Sequence, residues 1–260
     1  MNTLGGLVIS ILVITVLILI ISKQPLAEEL FCSDQEFYFE FPNVQPNVSI
    51  DRDTDIEAFT ICLWLSTSGA SNLGILRYTD QSTSNVLIAL SLSPGGHLDF
   101  SLFGEDRQLQ VLPGVQAGNM HGLCVTWQKE DGFFMVYYDG RLLLTGVDFK
   151  TRNLLSSKGV LTLGIGAQGR VLYTGRLSHV NAWPSVLDHP QLAVLSSKCG
   201  VQRGELVSWP EFKQGIYGGS AMEGPSCPFT ETDVTDELKH WRLDGSDNEL
   251  RFISLLFCRL

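Results

Sequence analysis

An all-β fold of two packed antiparallel sheets is what this sequence predicts, on three observations. Short apolar runs of strand length recur from Phe37 to Ala182, broken by Gly, Pro, Asn, Asp or Ser every eight to twelve residues or so. Turn pairs such as Asp139-Gly140 close them into hairpins. Only one stretch has good helical spacing, and nothing repeats at a fixed period, which argues against propellers and solenoids.

Taken in order, the apolar runs predict strands over 37–41, 59–65, 75–78, 86–91, 97–103, 122–128, 133–138, 141–145, 160–164 and 172–182. The firmest hairpin is GFFMVYYDGRLLL, because both turn residues tolerate positive φ. Ser93-Pro94-Gly95-Gly96 and Leu112-Pro113-Gly114 read as further turns. The helix is expected over 185–195, with Ser185 as its cap and Leu187, Gln191, Leu192 and Leu195 at helical spacing. One helix among many strands means a sandwich.

Composition fits a globular chain: 44% of the 260 residues are apolar and 25 are glycines, so disorder is not the default. Lys and Arg total 18 against 28 Asp and Glu, and the net charge of -10 repels phosphate backbones. Nucleic acid is excluded as a partner. The scattered acids, Asp51, Asp53, Asp55, Glu57, Asp233, Asp236 and Glu237, read as solvated surface.

Leu4 to Ser22 is an uncharged apolar stretch of 19 residues, long enough as a helix to cross a bilayer. Its length, its uncharged start and the poor cleavage site at Pro25–Ala27 favour a retained signal-anchor over a cleaved signal peptide. Either way the remainder is expected outside the cytoplasm, as a single-pass protein facing the extracellular side or a secreted one. The organisation expected is then a signal or anchor segment at 1–30, a sandwich at 31–212 and a tail at 213–260 outside the sandwich, where GGSAMEGPS reads as a linker.

Six cysteines follow that segment, without the close spacing of a redox or zinc motif, and disulfides are their natural reading. Cys62 in AFTICLW and Cys124 in HGLCVTW lie on two apolar strands expected opposite each other in the sandwich. Closing that loop stabilises by about 4 kcal/mol in the chain-entropy description. Asn47-Val48-Ser49 is the single glycosylation sequon, expected in a surface loop between strands.

These residues resemble the pentraxin family, whose signature is His-x-Cys-x-Ser/Thr-Trp after an upstream Phe-x-x-Cys strand. The likeness continues through FFMVYYDGRL, LTLG and GRLSHVNAWPSVLDHPQL and ends at GELVSWPEF. Gly122 stands where the motif has its histidine, with His121 one residue early, so the wording is similar to laminin-G-like domains as well. The resemblance implies a jelly-roll sandwich of the concanavalin and laminin-G type, a binding module and not an enzyme.

It also implies a Cys32–Cys199 bridge, with Cys199–Cys227 as the competing pairing and Cys227 and Cys258 otherwise left to pair together or between chains. The family holds calcium through oxygen ligands; here the first ligand pair falls on Ser84-Asn85 and the second cluster on Ile165–Gln168. Only Asn85 and Gln168 remain as donors, so the calcium site is expected to be degenerate and no cofactor is expected.

Other chemistry is set aside. Gly164-Ile165-Gly166-Ala167-Gln168-Gly169 matches a dinucleotide fingerprint, with Asp188 19 residues beyond it, but VLYTGRLSHV after it reads as strand and not as the helix such a site needs. The five histidines stand apart, with no zinc spacing, and Ser220 lacks the setting of a nucleophile elbow. Trp64, Trp127 and Trp183 are expected in the core. The leading expectation is a recognition or adhesion module for a protein or glycan, able to form a homo-oligomer. The alternatives are a structural or oligomerising ectodomain related to a larger receptor, and a calcium-dependent pentraxin lectin.

Overall fold

Side-chain alternation along the strands decides the layers of this molecule. The computed structural model describes residues 37–42, 44–67, 72–151, 153–167, 172–198, 203–218 and 220–223. A compact unit spans Glu36–Phe229. Its strands are β1 (Phe37–Phe41), β2 (Gln45–Asp51), β3 (Ala58–Ser66), β4 (Leu73–Asp80), β5 (Val86–Ser93), β6 (His97–Leu102) and β7 (Glu105–Val111). They continue as β8 (His121–Gln128), β9 (Phe134–Tyr138), β10 (Arg141–Gly146), β11 (Lys158–Leu163), β12 (Gly175–Trp183), β13 (Ile216–Tyr217) and β14 (Met222–Glu223). One helix, α1 (His189–Ser197), follows β12.

The strands pair as two antiparallel sheets of seven, the first in the order β10-β9-β8-β3-β12-β1-β14 and the second in the order β13-β2-β11-β4-β5-β6-β7. Between them lies an apolar core rich in aromatic rings. Phe37 stacks on Trp209 at 4.4 Å, and Phe100 meets Phe149 edge-on at 5.0 Å. Trp127 is fully buried, and its Nε1 donates to the Phe149 carbonyl at 2.7 Å.

The outer faces of the sheets differ. In β3, Phe59, Ile61, Leu63 and Leu65 enter the core, while Cys62 joins a smaller cluster with Cys124, Met135, Tyr137, Trp183 and Leu192 beneath α1. The second sheet presents hydroxyl, amide and charged residues outward: Thr79 and Arg77 on β4, Ser91 on β5, Asp99 on β6 and Gln108 on β7 alternate with the core residues Leu76, Tyr78, Leu90, Leu92, Leu98 and Phe100.

Most predicted strands are present within a residue or two of their expected limits. The Asp139-Gly140 turn has φ of 48° and 78°, as a tight hairpin requires. Four strands were missed, two of them only two residues long. QPNVSID forms β2 and EDRQLQV forms β7, toward opposite ends of the second sheet, where few positions must be apolar.

The helix begins later than Ser185. The Ser185 carbonyl accepts from Thr60 Oγ1 at 2.7 Å, and Leu187 N donates to the same hydroxyl at 3.0 Å, which pins this segment to β3 as an extended lead-in. The cap is Asp188: its Oδ1 accepts from Gln191 N at 2.8 Å, Gln191 Oε1 accepts from Asp188 N at 3.1 Å, and Pro190 sits in the first turn.

Residues 213–223 are also not outside the sandwich. Ile216–Tyr217 pairs with β2 and Met222–Glu223 with β1, and Asn47 N donates to the Gly215 carbonyl at 2.8 Å. Two-residue strands held by main-chain bonds leave no alternation in the sequence to find. Leu4–Ser22, Cys32, Cys199, Cys227, Cys258 and residues 224–260 lie outside the described residues. Among the described residues no helix is long and apolar enough to cross a membrane.

Candidate functional site

The turn after β4 carries Asn85, one of the two remaining candidate calcium donors. Asp80 organises that turn: its Oδ1 accepts from Ser82 N at 3.0 Å, Ser82 Oγ at 2.7 Å, Thr83 N at 2.6 Å and Thr83 Oγ1 at 2.8 Å. A hydrogen bond from Ser156, then those from Ser82 and Thr83, hold the Asp80 carboxyl well below the usual carboxylate range. Ser84 follows at φ 59°, and the Asn85 carbonyl accepts from Asp80 N at 2.9 Å. The turn's own carboxylate is thus engaged by the turn itself, and the Asn85 side chain is left exposed.

Ile165–Ala167, the remnant of the second cluster, lies at the other end of the same hairpin. Gly166 passes directly over Gly74, where a Cβ would stand 1.9 Å from Gly166 N, and beside Ser91. Gly74 pairs with Ser91 near the start of β4, whereas the Asn85 turn follows its end. From Gly74 to Asp80 is about 20 Å at the usual strand rise of about 3.3 Å. The structure therefore does not bring Asn85 and this loop together, and Gln168 lies outside the described residues. Among the described residues no group of three or more His, Cys, Asp or Glu is arranged to hold a metal.

The GxGxxG stretch is a loop that follows β11, with Tyr173 N returning to the Gly164 carbonyl at 2.9 Å, and Asp188 is occupied as the helix cap. All three predicted core tryptophans are buried, Trp64 and Trp183 on the sheet and Trp127 in the main core. Cys62 and Cys124 form the expected disulfide, but as register partners of neighbouring strands β3 and β8 in one sheet, not across the sandwich. Asn47 lies within β2 and not in a loop; its Nδ2 donates to the Gly215 carbonyl at 3.1 Å.

Two of the histidines bear on the motif and on the strand geometry. His121 Nδ1 lies 2.7 Å from Asp139 Oδ2, its ring stacked on Tyr138, so the imidazole shifted by one residue from the motif position braces the β9–β10 turn. His179 forms a bulge in β12 at φ 50°, packed parallel to Trp209 at 6.4 Å, and burial pushes its pKa down to about 4.

A family model described as the Concanavalin A-like lectin/glucanases superfamily matches residues 39–193. The chain belongs to that superfamily. Within it, the curated relatives it matches include neuronal pentraxins and a pentraxin domain-containing protein. Human neuronal pentraxin-2 is 27% identical over 175 residues, covering 64% of this chain and 40% of that protein. The rat sushi, von Willebrand factor type A, EGF and pentraxin domain-containing protein 1 is 27% identical over 218 residues, covering 78% of this chain and 6% of that protein. The chain thus spans less than half the length of these relatives.

Among solved structures, the heptameric SAP-like pentraxin of Limulus polyphemus superposes with a TM-score of 0.60 at 15% identity, over 75% of this chain and 99% of that one. The full extracellular region of zebrafish Gpr126/Adgrg6 gives 0.59 at 17% identity, over 75% and 27%. The lectin-like sandwich of the superfamily is therefore the scaffold here. What sequence reading did not locate is the separation of Asn85 from the 165–167 loop, which depends on strand register alone.

Proposed function

We propose that this domain is an extracytoplasmic recognition module, without catalytic activity, that engages a protein or glycan ligand without calcium. The observation that carries this reading is the distance between the two halves of the inherited calcium site. Calcium requires six to eight oxygens around one point. Here Asn85 stands about 20 Å along β4 from Gly74 and the loop that crosses it. Asp80 already receives four hydrogen bonds from its own turn.

The Cys62–Cys124 bridge supports an oxidising compartment, as does the pentraxin kinship. Homo-oligomer formation is a further part of the reading, supported by the heptameric pentraxin that shares the fold.

Calorimetric titration of the purified full-length chain tests the calcium prediction: no binding heat and no shift in melting temperature are expected up to millimolar calcium. Micromolar calcium affinity would overturn it. A glycan and ectodomain array in chelator identifies the ligand class, and light scattering reads the assembly state.

A further inference from the structure

Strand alternation sends Leu76 and Tyr78 into the core and leaves Arg77 and Thr79 on the outer face of the second sheet. Arg77 lies in one cross-strand row, Asn47–Thr162–Arg77–Ala89–Ser101, which crosses β2, β11, β4, β5 and β6. Asn47, Arg77 and Thr162 are half-buried and Ala89 and Ser101 buried; Arg77 is the one charged residue among these five, and the next register partner, on β7, is Asp106. Arg77 makes no ion pair among the described residues. Its Nε is buried without a hydrogen-bond partner, and so is Thr79 Oγ1, on the same face. By contrast, Arg107, Lys129, Lys150 and Lys158 all pair with carboxylates.

A buried donor without an acceptor is destabilising and rarely retained. A guanidinium offers a planar fork matched to a carboxylate. On either side of Arg77 the row supplies the hydroxyls of Thr162 and Ser101, which suit sugar hydroxyls. The large exposed apolar side chains, Val111, Leu142, Val147, Leu154, Leu172, Val194 and Met222, are not in this row, so it lacks the anchors of a protein interface. The net charge of -10 works against polyanions and favours a ligand with few charges.

We propose that this face binds a carboxylate-bearing sugar, with Arg77 receiving the carboxylate and Thr162 and Ser101, on either side of it, receiving the hydroxyls. The inference rests on the calcium-free recognition reading above and names its ligand class. Arg77 replaces a bound cation as the source of positive charge.

The test is calorimetry of the full-length chain in chelator, with a hyaluronan tetrasaccharide and with the same sugar after its carboxyls are reduced to alcohols. The acidic form is expected to bind and the reduced form to bind at least tenfold more weakly. Arg77→Met is expected to weaken the acidic form at least tenfold with no loss of melting temperature. Thr162→Glu places a carboxylate directly opposite Arg77, and is expected to do the same by occupying the guanidinium. Equal binding of both sugars, no binding of the acidic sugar, or full binding by folded Arg77→Met or Thr162→Glu overturns the inference and leaves the recognition reading standing. Binding of the acidic sugar that appears only when calcium replaces chelator overturns the calcium-free reading itself.

Discussion

Gly122 and Ser196 touch backbone to backbone: a Cβ on Gly122 would stand 2.1 Å from the Ser196 carbonyl oxygen. Helix α1 therefore rests directly on β8, and the family's motif histidine has no room at this position. Gly122→Ala is expected to displace the helix and destabilise the domain by about 1–3 kcal/mol, the usual cost of overpacking. Thermal unfolding checks this, and an unchanged melting temperature would show that the helix gives way freely.

The Cys62–Cys124 bridge closes a loop with a sequence separation of 62 between strands already paired in register. Replacing both cysteines by alanine is expected to cost about 4 kcal/mol, by the closure entropy restored to the unfolded chain. Equilibrium urea unfolding of the variant measures it; a loss below about 1 kcal/mol contradicts that account.

The helix cap separates two neighbouring residues by role. Asp188→Ala removes a side-chain acceptor and is expected to cost about 1 kcal/mol. Ser185 contributes its main-chain carbonyl to Thr60, so Ser185→Ala is expected to be neutral within about 0.5 kcal/mol. Paired denaturation curves distinguish this from a helix capped at Ser185.

His179 sets an acid limit on stability. Burial lowers its pKa from 6.5 to about 4, so between these values the unfolded chain binds a proton that the folded chain does not. Its contribution is complete above about pH 6.5 and is lost as pH falls to about 4, by about 3 kcal/mol in all. Asp80, whose carboxyl is held below the usual range, adds its loss only at more acidic pH, below its unfolded value. Urea midpoints between pH 7.5 and 4 should therefore fall, and His179→Gln should flatten that slope. An equal slope in the variant would assign the effect elsewhere.

The sequence by itself determined the sandwich, the Cys62–Cys124 pair and most strands, because burial on one or both faces writes an apolar pattern that survives without coordinates. Phe59 to Leu65 illustrates it: β3 is covered by the core on one face and by α1 on the other, so nearly every residue is apolar. Strands with little to bury, β2 and β7, and strands only two residues long, β13 and β14, left no such pattern. The family resemblance implied that Asn85 and the Ile165–Gln168 loop belong to one calcium site. Tertiary structure decided otherwise, since antiparallel register puts Gly166 over Gly74 and Asn85 beyond the far end of the same strand. Register also brought Asn47, Thr162, Arg77, Ala89 and Ser101, which are far apart in the chain, into one row. A lone arginine inside LGILRYTD carries no motif, and its missing partner becomes visible only when five strands lie side by side.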